Sequence, residues 1–131
     1  IRMEVYTDLP GMQVYTGNFI NNELGKNGVV YKGANIENAG YTATNCAERT
    51  AFFNAIMDEQ KEFEAIAIVG GPANKNKLDY CTPCGVCRQV MREFCDPKTF
   101  EVIVAKSTTE YKVFTLEELL PESFGPEDLG K

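Results

Sequence analysis

Histidine is wholly absent from the 131 residues, which removes any Ser-His or Cys-His nucleophilic pair and any imidazole acid or base. Side-chain proton transfer therefore falls to carboxylates, Lys or Tyr. Also missing is any run of Lys or Arg able to neutralise a phosphate backbone. The 13 basic side chains against 19 acidic ones leave a net charge of −6, which argues for no nucleic-acid partner. No stretch approaches the roughly 20 apolar residues that a membrane-spanning helix needs. The opening Ile1-Arg2-Met3-Glu4 lacks the apolar region of a signal peptide. No membrane partner is expected, and a cytoplasmic location is. What is present is apolar material, 44% of the chain, enough for one domain with a proper core and too little for two. A single domain over residues 1–131 is the expectation.

The cysteines are five and therefore odd in number, Cys46, Cys81, Cys84, Cys87 and Cys95. In a chain expected to be cytoplasmic this argues against a disulfide framework and for metal binding or catalysis. Apolar alternation from Met3 to Tyr6 and from Met12 to Phe19 predicts two short strands separated by the turn Leu9-Pro10-Gly11. Lys26-Asn27-Gly28 predicts a hairpin turn into Val29-Val30-Tyr31. From Cys46 to Asp58 apolar residues recur at helical spacing and predict an amphipathic helix. The nearly continuous apolar run Phe63 to Val69 predicts a strand covered on both faces. After a polar loop, Asn74 to Asp79, a second helix is predicted from near Pro83 to about Cys95, ended by Asp96-Pro97. Phe100 to Ala105 and Tyr111 to Thr115 predict two more strands, and Thr115-Leu116-Glu117-Glu118 the capped start of a short last helix. The alternation of strands and helices predicts an α/β sandwich. Phe52, Phe53 and Phe94 are expected in the core, with Cys81 and Cys95 as small buried residues.

The pattern with chemical content is Cys46-Ala47-Glu48 at one helix start and Pro83-Cys84-Gly85-Val86-Cys87 at the next, the first cysteines of each lying 38 residues apart. Cys84 and Cys87 share one side of a helix start, where the partial positive charge favours their thiolates, and Cys46 would supply a third sulfur from the neighbouring helix. Zinc takes four tetrahedral ligands, so three protein ligands leave one position for water, as catalytic rather than structural sites do. Coordination lowers the pKa of that water, an effect that three thiolates weaken. Arg49 could offset them by hydrogen bonding to a ligating sulfur, or could form an exposed ion pair. Glu48, two residues past Cys46, would point about 200° away from it on a regular helix, which suits a non-ligand proton carrier. Zinc nucleobase deaminases are described by this Cys₃ set, a non-ligand Glu and a Pro-Cys-x-x-Cys element. The bland alternatives are buried core thiols, or a structural Cys₄ site completed by Cys81 or Cys95.

Three segments resemble the small homotetrameric cytidine deaminases: Gly33-Ala34-Asn35-Ile36-Glu37-Asn38-Ala39, Asn45-Cys46-Ala47-Glu48-Arg49-Thr50-Ala51, and Pro83-Cys84-Gly85-Val86-Cys87-Arg88-Gln89-Val90. The C-terminal Leu119-Leu120-Pro121-Glu122-Ser123-Phe124 belongs to the same pattern. The resemblance covers roughly residue 28 to the end. It implies a three-layer α/β/α sandwich with a mixed sheet and a tetrameric homo-oligomer. It also implies a zinc cofactor held by Cys46, Cys84 and Cys87, with Glu48 catalytic. Asn35 and Glu37 would hold the ribose hydroxyls, which favours a nucleoside over a free base. Phe124 would reach the base in a neighbouring subunit's site. Read without the resemblance, Asn35 and Glu37 are a polar loop before a helix, and Phe124 is core packing. The backbone N–H of Ala47 or of Cys84, at a helix start, is available to hold the base or the water.

The chain departs from that family at its beginning, where the usual first helix and first strand, with its Phe-x-Val-Gly-Ala-Ala pattern, are absent. Residues Met3 to Phe19, continuing through Gly25-Lys26-Asn27-Gly28, resemble an internal segment of galactose mutarotases (aldose 1-epimerases). About 30 residues cannot bury enough surface for a mutarotase sandwich, so no epimerase activity is expected. The junction predicts a fusion of two coding sequences, with Met12 to Phe19 standing in for the missing strand. The expected function is zinc-dependent hydrolytic deamination of cytidine and 2′-deoxycytidine, in pyrimidine salvage, with Glu48 shuttling protons. The alternative is a catalytically inactive zinc-binding or oligomerisation module.

Overall fold

The computed structural model of the chain describes the strand Arg2–Met3, residues 29–71 and residues 78–131. Strand β1 (Arg2–Met3) pairs in parallel with β2 (Val30–Tyr31). A second, three-stranded sheet runs β3 (Ala65–Val69), β4 (Glu101–Ala105), β5 (Tyr111–Thr115), with β4 in the middle. β3 and β4 are parallel, in register from Ala65 opposite Glu101 to Val69 opposite Ala105. β4 and β5 are antiparallel, Glu101 opposite Thr115 and Ala105 opposite Tyr111. The sheet is thus mixed, and the parallel crossover needs a helix between its strands. That helix is α2 (Gly85–Phe94), while α1 (Ala47–Met57) precedes β3 and α3 (Leu116–Leu119) follows β5. The architecture is α/β, as expected, and no helix among the described residues is long and apolar enough to cross a membrane.

β3 and β4 read as unbroken apolar runs because both of their faces are covered. Side chains alternate between faces along a strand, yet Ile66 through Val69 and Val102 through Ala105 are all buried. Ile66, Ile68, Val102 and Val104 enter one cluster with Ala51, Phe52 and Ala55 of α1, Cys87 and Met91 of α2, Phe100 and Leu116. Phe52 anchors it: its ring centroid lies 4.8 Å from that of Phe63 and 6.0 Å from that of Phe100. β3 begins at Ala65 rather than Phe63, and Phe63 packs onto the core from just outside the strand. Thr115 ends β5 and caps α3: its hydroxyl accepts from Glu118 N at 3.2 Å, and Glu118 Oε2 accepts from Thr115 N at 2.7 Å. That reciprocal pair is the capped start that the sequence predicts.

Several placements differ from the expectations. Phe53 is 43% exposed and Phe94 38%, so neither is a core residue, although Phe94 still stacks beside Phe52. α1 is not cleanly amphipathic, because Phe53 and Met57 project from the side opposite Ala51 and Ala55. Cys95 is buried as expected, but Cys81 is only half-buried. The strand expected over Met12 to Phe19, the turns at Leu9-Pro10-Gly11 and Lys26-Asn27-Gly28, and most of the loop from Asn74 lie outside the described residues.

Gly33 fixes the approach of the segment after β2 to α1. A Cβ there would overlap the carbonyl oxygen of Ala47 and the backbone of Ala51, so only a residue without a side chain fits against the first turn. Asn54 Nδ2 donates to Lys32 O at 2.9 Å and ties the same segment one turn further on.

Candidate metal centre and active site

Two backbone bridges bring distant segments to the helix starts. Ile36 N donates to Asn45 O at 2.8 Å and Asn45 N to Ile36 O at 3.0 Å, which pins Asn35 and Glu37 beside the residue that precedes Cys46. Asp79 N donates to Gly70 O at 3.0 Å, which ties the approach to Cys84 to the end of β3. Cys46 is the N-cap of α1, with φ −64° and ψ 152°. Cys84 is the N-cap of α2, with φ −67° and ψ 165°, and Cys87 lies in that helix's first turn. The two N-cap sulfurs face each other across the helix starts.

The sulfurs of Cys46 and Cys84 are 3.9 Å apart, those of Cys84 and Cys87 3.4 Å, and all three lie within 4.8 Å of one another. Tetrahedral coordination with bonds of about 2.3 Å sets ligand sulfurs about 3.8 Å apart, so this donor set fits zinc. Cys81 and Cys95 are not part of the cluster among the described residues. Charge gives a second reason for a cation. Burial raises the Cys84 thiol, but the backbone N–H of Cys87 and the neighbouring sulfurs outweigh it and bring the thiol below its ordinary value. Burial, then the charge of Glu48, push Cys87 up. Three sulfurs and a carboxylate cannot all ionise in contact unless a cation is shared among them.

Glu48 is 1% exposed, and neither carboxylate oxygen has a hydrogen-bond partner among the described residues. Burial raises its pKa, an effect that nearby polar groups and the Arg49 charge only partly offset. The angle of about 200° from Cys46 that a regular helix would impose does not apply, because Cys46 has extended backbone and stands outside the helix. Arg49 Nη2 donates to Cys46 Sγ at 3.5 Å and to Thr44 O at 3.0 Å. Asn35, 8% exposed, donates from Nδ2 to Glu37 Oε1 at 2.6 Å. The two flank Ile36, whose side chain turns outward. Ala47 is buried at the first helical position, where its N–H has no acceptor within the helix.

Phe124 is 59% exposed, so it does not pack into its own core; its carbonyl accepts from Gln89 Nε2 at 3.0 Å. No sequence pattern assigns a role to Arg88, Gln89 or Arg92, which hold the C-terminal segment to α2. The available signal is Arg92 itself, a charged residue next to Met91 on the buried side of a helix.

Comparison with known proteins places this geometry. Residues 10–104 match the family model for the cytidine and deoxycytidylate deaminase zinc-binding region. A cytidine deaminase of Sporosarcina psychrophila is 42% identical over 110 residues, 82% of this chain and 74% of that protein. The crystal structure of cytidine deaminase from Burkholderia pseudomallei superposes with a TM-score of 0.68 at 35% identity, covering 92% of this chain and 87% of the other. That of Mycobacterium tuberculosis gives a TM-score of 0.59 at 29% identity, covering 78% and 74%. Similarity across most of the chain, in sequence and in fold alike, makes this protein a member of the cytidine deaminase family.

Proposed function

We propose that the chain is a zinc-dependent deaminase that converts cytidine and 2′-deoxycytidine, with water, to uridine and 2′-deoxyuridine and ammonia, a reaction of pyrimidine salvage. The observation that carries this reading is the buried, unpartnered carboxylate of Glu48 beside a three-sulfur cluster. A buried polar group without partners is costly. The exchangeable protons of an aminopyrimidine, together with those of an attacking water, are donors of the kind it lacks.

Cys46, Cys84 and Cys87 would hold the zinc. When bound, the ion supplies a Lewis acid that makes water nucleophilic near neutral pH. Glu48 takes a proton from the attacking water and delivers protons to the ring nitrogen and to the departing amine, so that one carboxylate acts as base and then as acid. Desolvation favours that cycle, since a carboxyl with a raised pKa holds its proton long enough to pass it on. Arg49 withdraws charge from the Cys46 sulfur and keeps the metal electrophilic. Asn35 and Glu37 receive the ribose hydroxyls, and their mutual hydrogen bond sets their spacing. The N–H of Ala47 is offered to the base or the water.

The reading takes residues 1–131 as one deaminase domain with an atypical segment over 1–28, acting on a small nucleoside in the cytoplasm. Exposed apolar side chains at Phe53, Met57, Val86 and Phe124 support a homo-oligomer, a tetramer by resemblance, in which Phe124 meets the base in a neighbouring copy's site. The relatives are themselves named cytidine deaminases, which does not favour the inactive alternative. Zinc content and ammonia release from cytidine, measured on one purified sample, test the proposal. A zinc-loaded sample with no turnover would reject it.

A further inference from the structure

Helix α2 carries more than two sulfurs of the metal cluster. One side buries Cys87 and Met91, while Arg88, Gln89 and Arg92 grip the C-terminal segment. Arg88 donates from Nη1 to Leu119 O and from Nε to Pro83 O, each at 2.7 Å. Gln89 holds the carbonyl of Phe124. Arg92 donates from Nε to Ser123 Oγ at 2.9 Å and ion-pairs through Nη2 with Glu127. Its side chain is 7% exposed, and a buried guanidinium is tolerated only when paired. Both side-chain partners of Arg92 lie in one stretch, 31 and 35 residues further along the chain. A Cβ on Gly125 would overlap the same guanidinium, so the Gly125 backbone packs directly against it. Phe124 is thereby fixed three times: through Ser123 before it, Gly125 after it and its own carbonyl. Its backbone is held while its ring stands out from the chain.

We propose that Arg92 is a positioning residue for substrate binding, which by clamping residues 123–127 onto α2 presents the Phe124 ring to the nucleobase. The inference rests on the reading of Phe124 given under the proposed function. An aromatic on a loose tail loses backbone and rotamer freedom at each binding event, whereas a clamped one has lost it on folding. The effect should therefore fall on substrate affinity more than on the chemical step. A merely structural Arg92 would instead lower stability and leave KM alone.

Steady-state kinetics of Arg92→Gln, Phe124→Ala and the double variant separate the two, with zinc content and assembly state measured on each sample. Arg92→Gln is expected to raise KM about tenfold with a much smaller fall in kcat, and the double variant to be no worse than Phe124→Ala alone. Arg92→Lys keeps the charge without the planar fork and should restore KM only in part. Glu127→Gln alters a residue that is largely exposed and should raise KM in the same direction, which covers the case of Arg92→Gln failing to fold. Effects that multiply in the double variant would overturn the inference. So would an unchanged KM in the folded Arg92 and Glu127 variants while Phe124→Ala raises it; the reading of Phe124 would then survive. An unchanged KM in Phe124→Ala would remove that reading and the inference together.

Discussion

The guanidinium of Arg49 donates to the sulfur of Cys46 at 3.5 Å while its other contact, Thr44 O at 3.0 Å, holds it there. The hydrogen bond to Cys46 raises the Arg49 pKa above its ordinary value. Arg49→Ala should weaken zinc affinity and turnover by roughly 10- to 100-fold each. Competition with a chromophoric chelator and ammonia release measure the two. If both stayed at the parent level, the sulfur contact would have no chemical role.

Glu48→Gln removes the proposed proton carrier and preserves the volume. Turnover of cytidine should fall by about 10²- to 10⁴-fold, with zinc still present at one ion per chain by metal analysis. Activity within a few-fold of the parent would disqualify Glu48 as the acid and base.

Asn35→Ala breaks the 2.6 Å hydrogen bond to Glu37 and removes a buried polar group of the proposed sugar site. Its expected cost is roughly 10- to 100-fold in kcat/KM for cytidine, with little further loss for an analogue lacking the sugar hydroxyls. Equal losses for both substrates would mean that Asn35 serves the fold and not the ribose.

Gly33→Ala drives a methyl group into the backbone of α1 at Ala47 and Ala51. Relief requires moving the segment that carries Asn35 and Glu37, so stability should drop by about 1–3 kcal/mol. Thermal unfolding is the readout, and an unchanged Tm would refute the close packing.

Chelation should expose the cysteines in a fixed order. Cys84 is exposed and its thiol is lowered against the opposing effect of burial, so below its ordinary pKa it carries more thiolate and alkylates first. Cys95 is buried and its thiol raised by that burial, so it should react well after Cys84, and only as the chain opens. Mass mapping of alkylated peptides at pH 7 tests this order. Early labelling of Cys95 would contradict it.

The sulfur triad is legible in the sequence because metal ligands obey short spacing rules, and the pairing of Cys46-Ala47-Glu48 with Pro83-Cys84-Gly85-Val86-Cys87 leaves few other geometries. The paired strands are legible for a similar reason: a run such as Ala65 to Val69 can hide only in a sheet covered on both faces. The exposed Phe53 and Phe94 show where such reasoning stops, since an aromatic at helical spacing does not say which side of the helix the rest of the chain covers. The direction of Glu48 relative to Cys46 turns on a local detail, because the angle of a regular helix requires a helical Cys46 and its backbone is extended. Arg92 and its partners Ser123 and Glu127 lie too far apart in the chain for any local pattern to pair them.

Both α1 and α2 begin on a cysteine, a residue type whose sulfur is a poor helix cap. Aspartate or serine would cap either start better, by about 1 kcal/mol, yet would break up the sulfur triad. A laboratory screen that rewarded heat resistance alone in metal-free protein would therefore favour replacing members of the sulfur triad, and on the proposed function would enrich sturdy chains that do nothing.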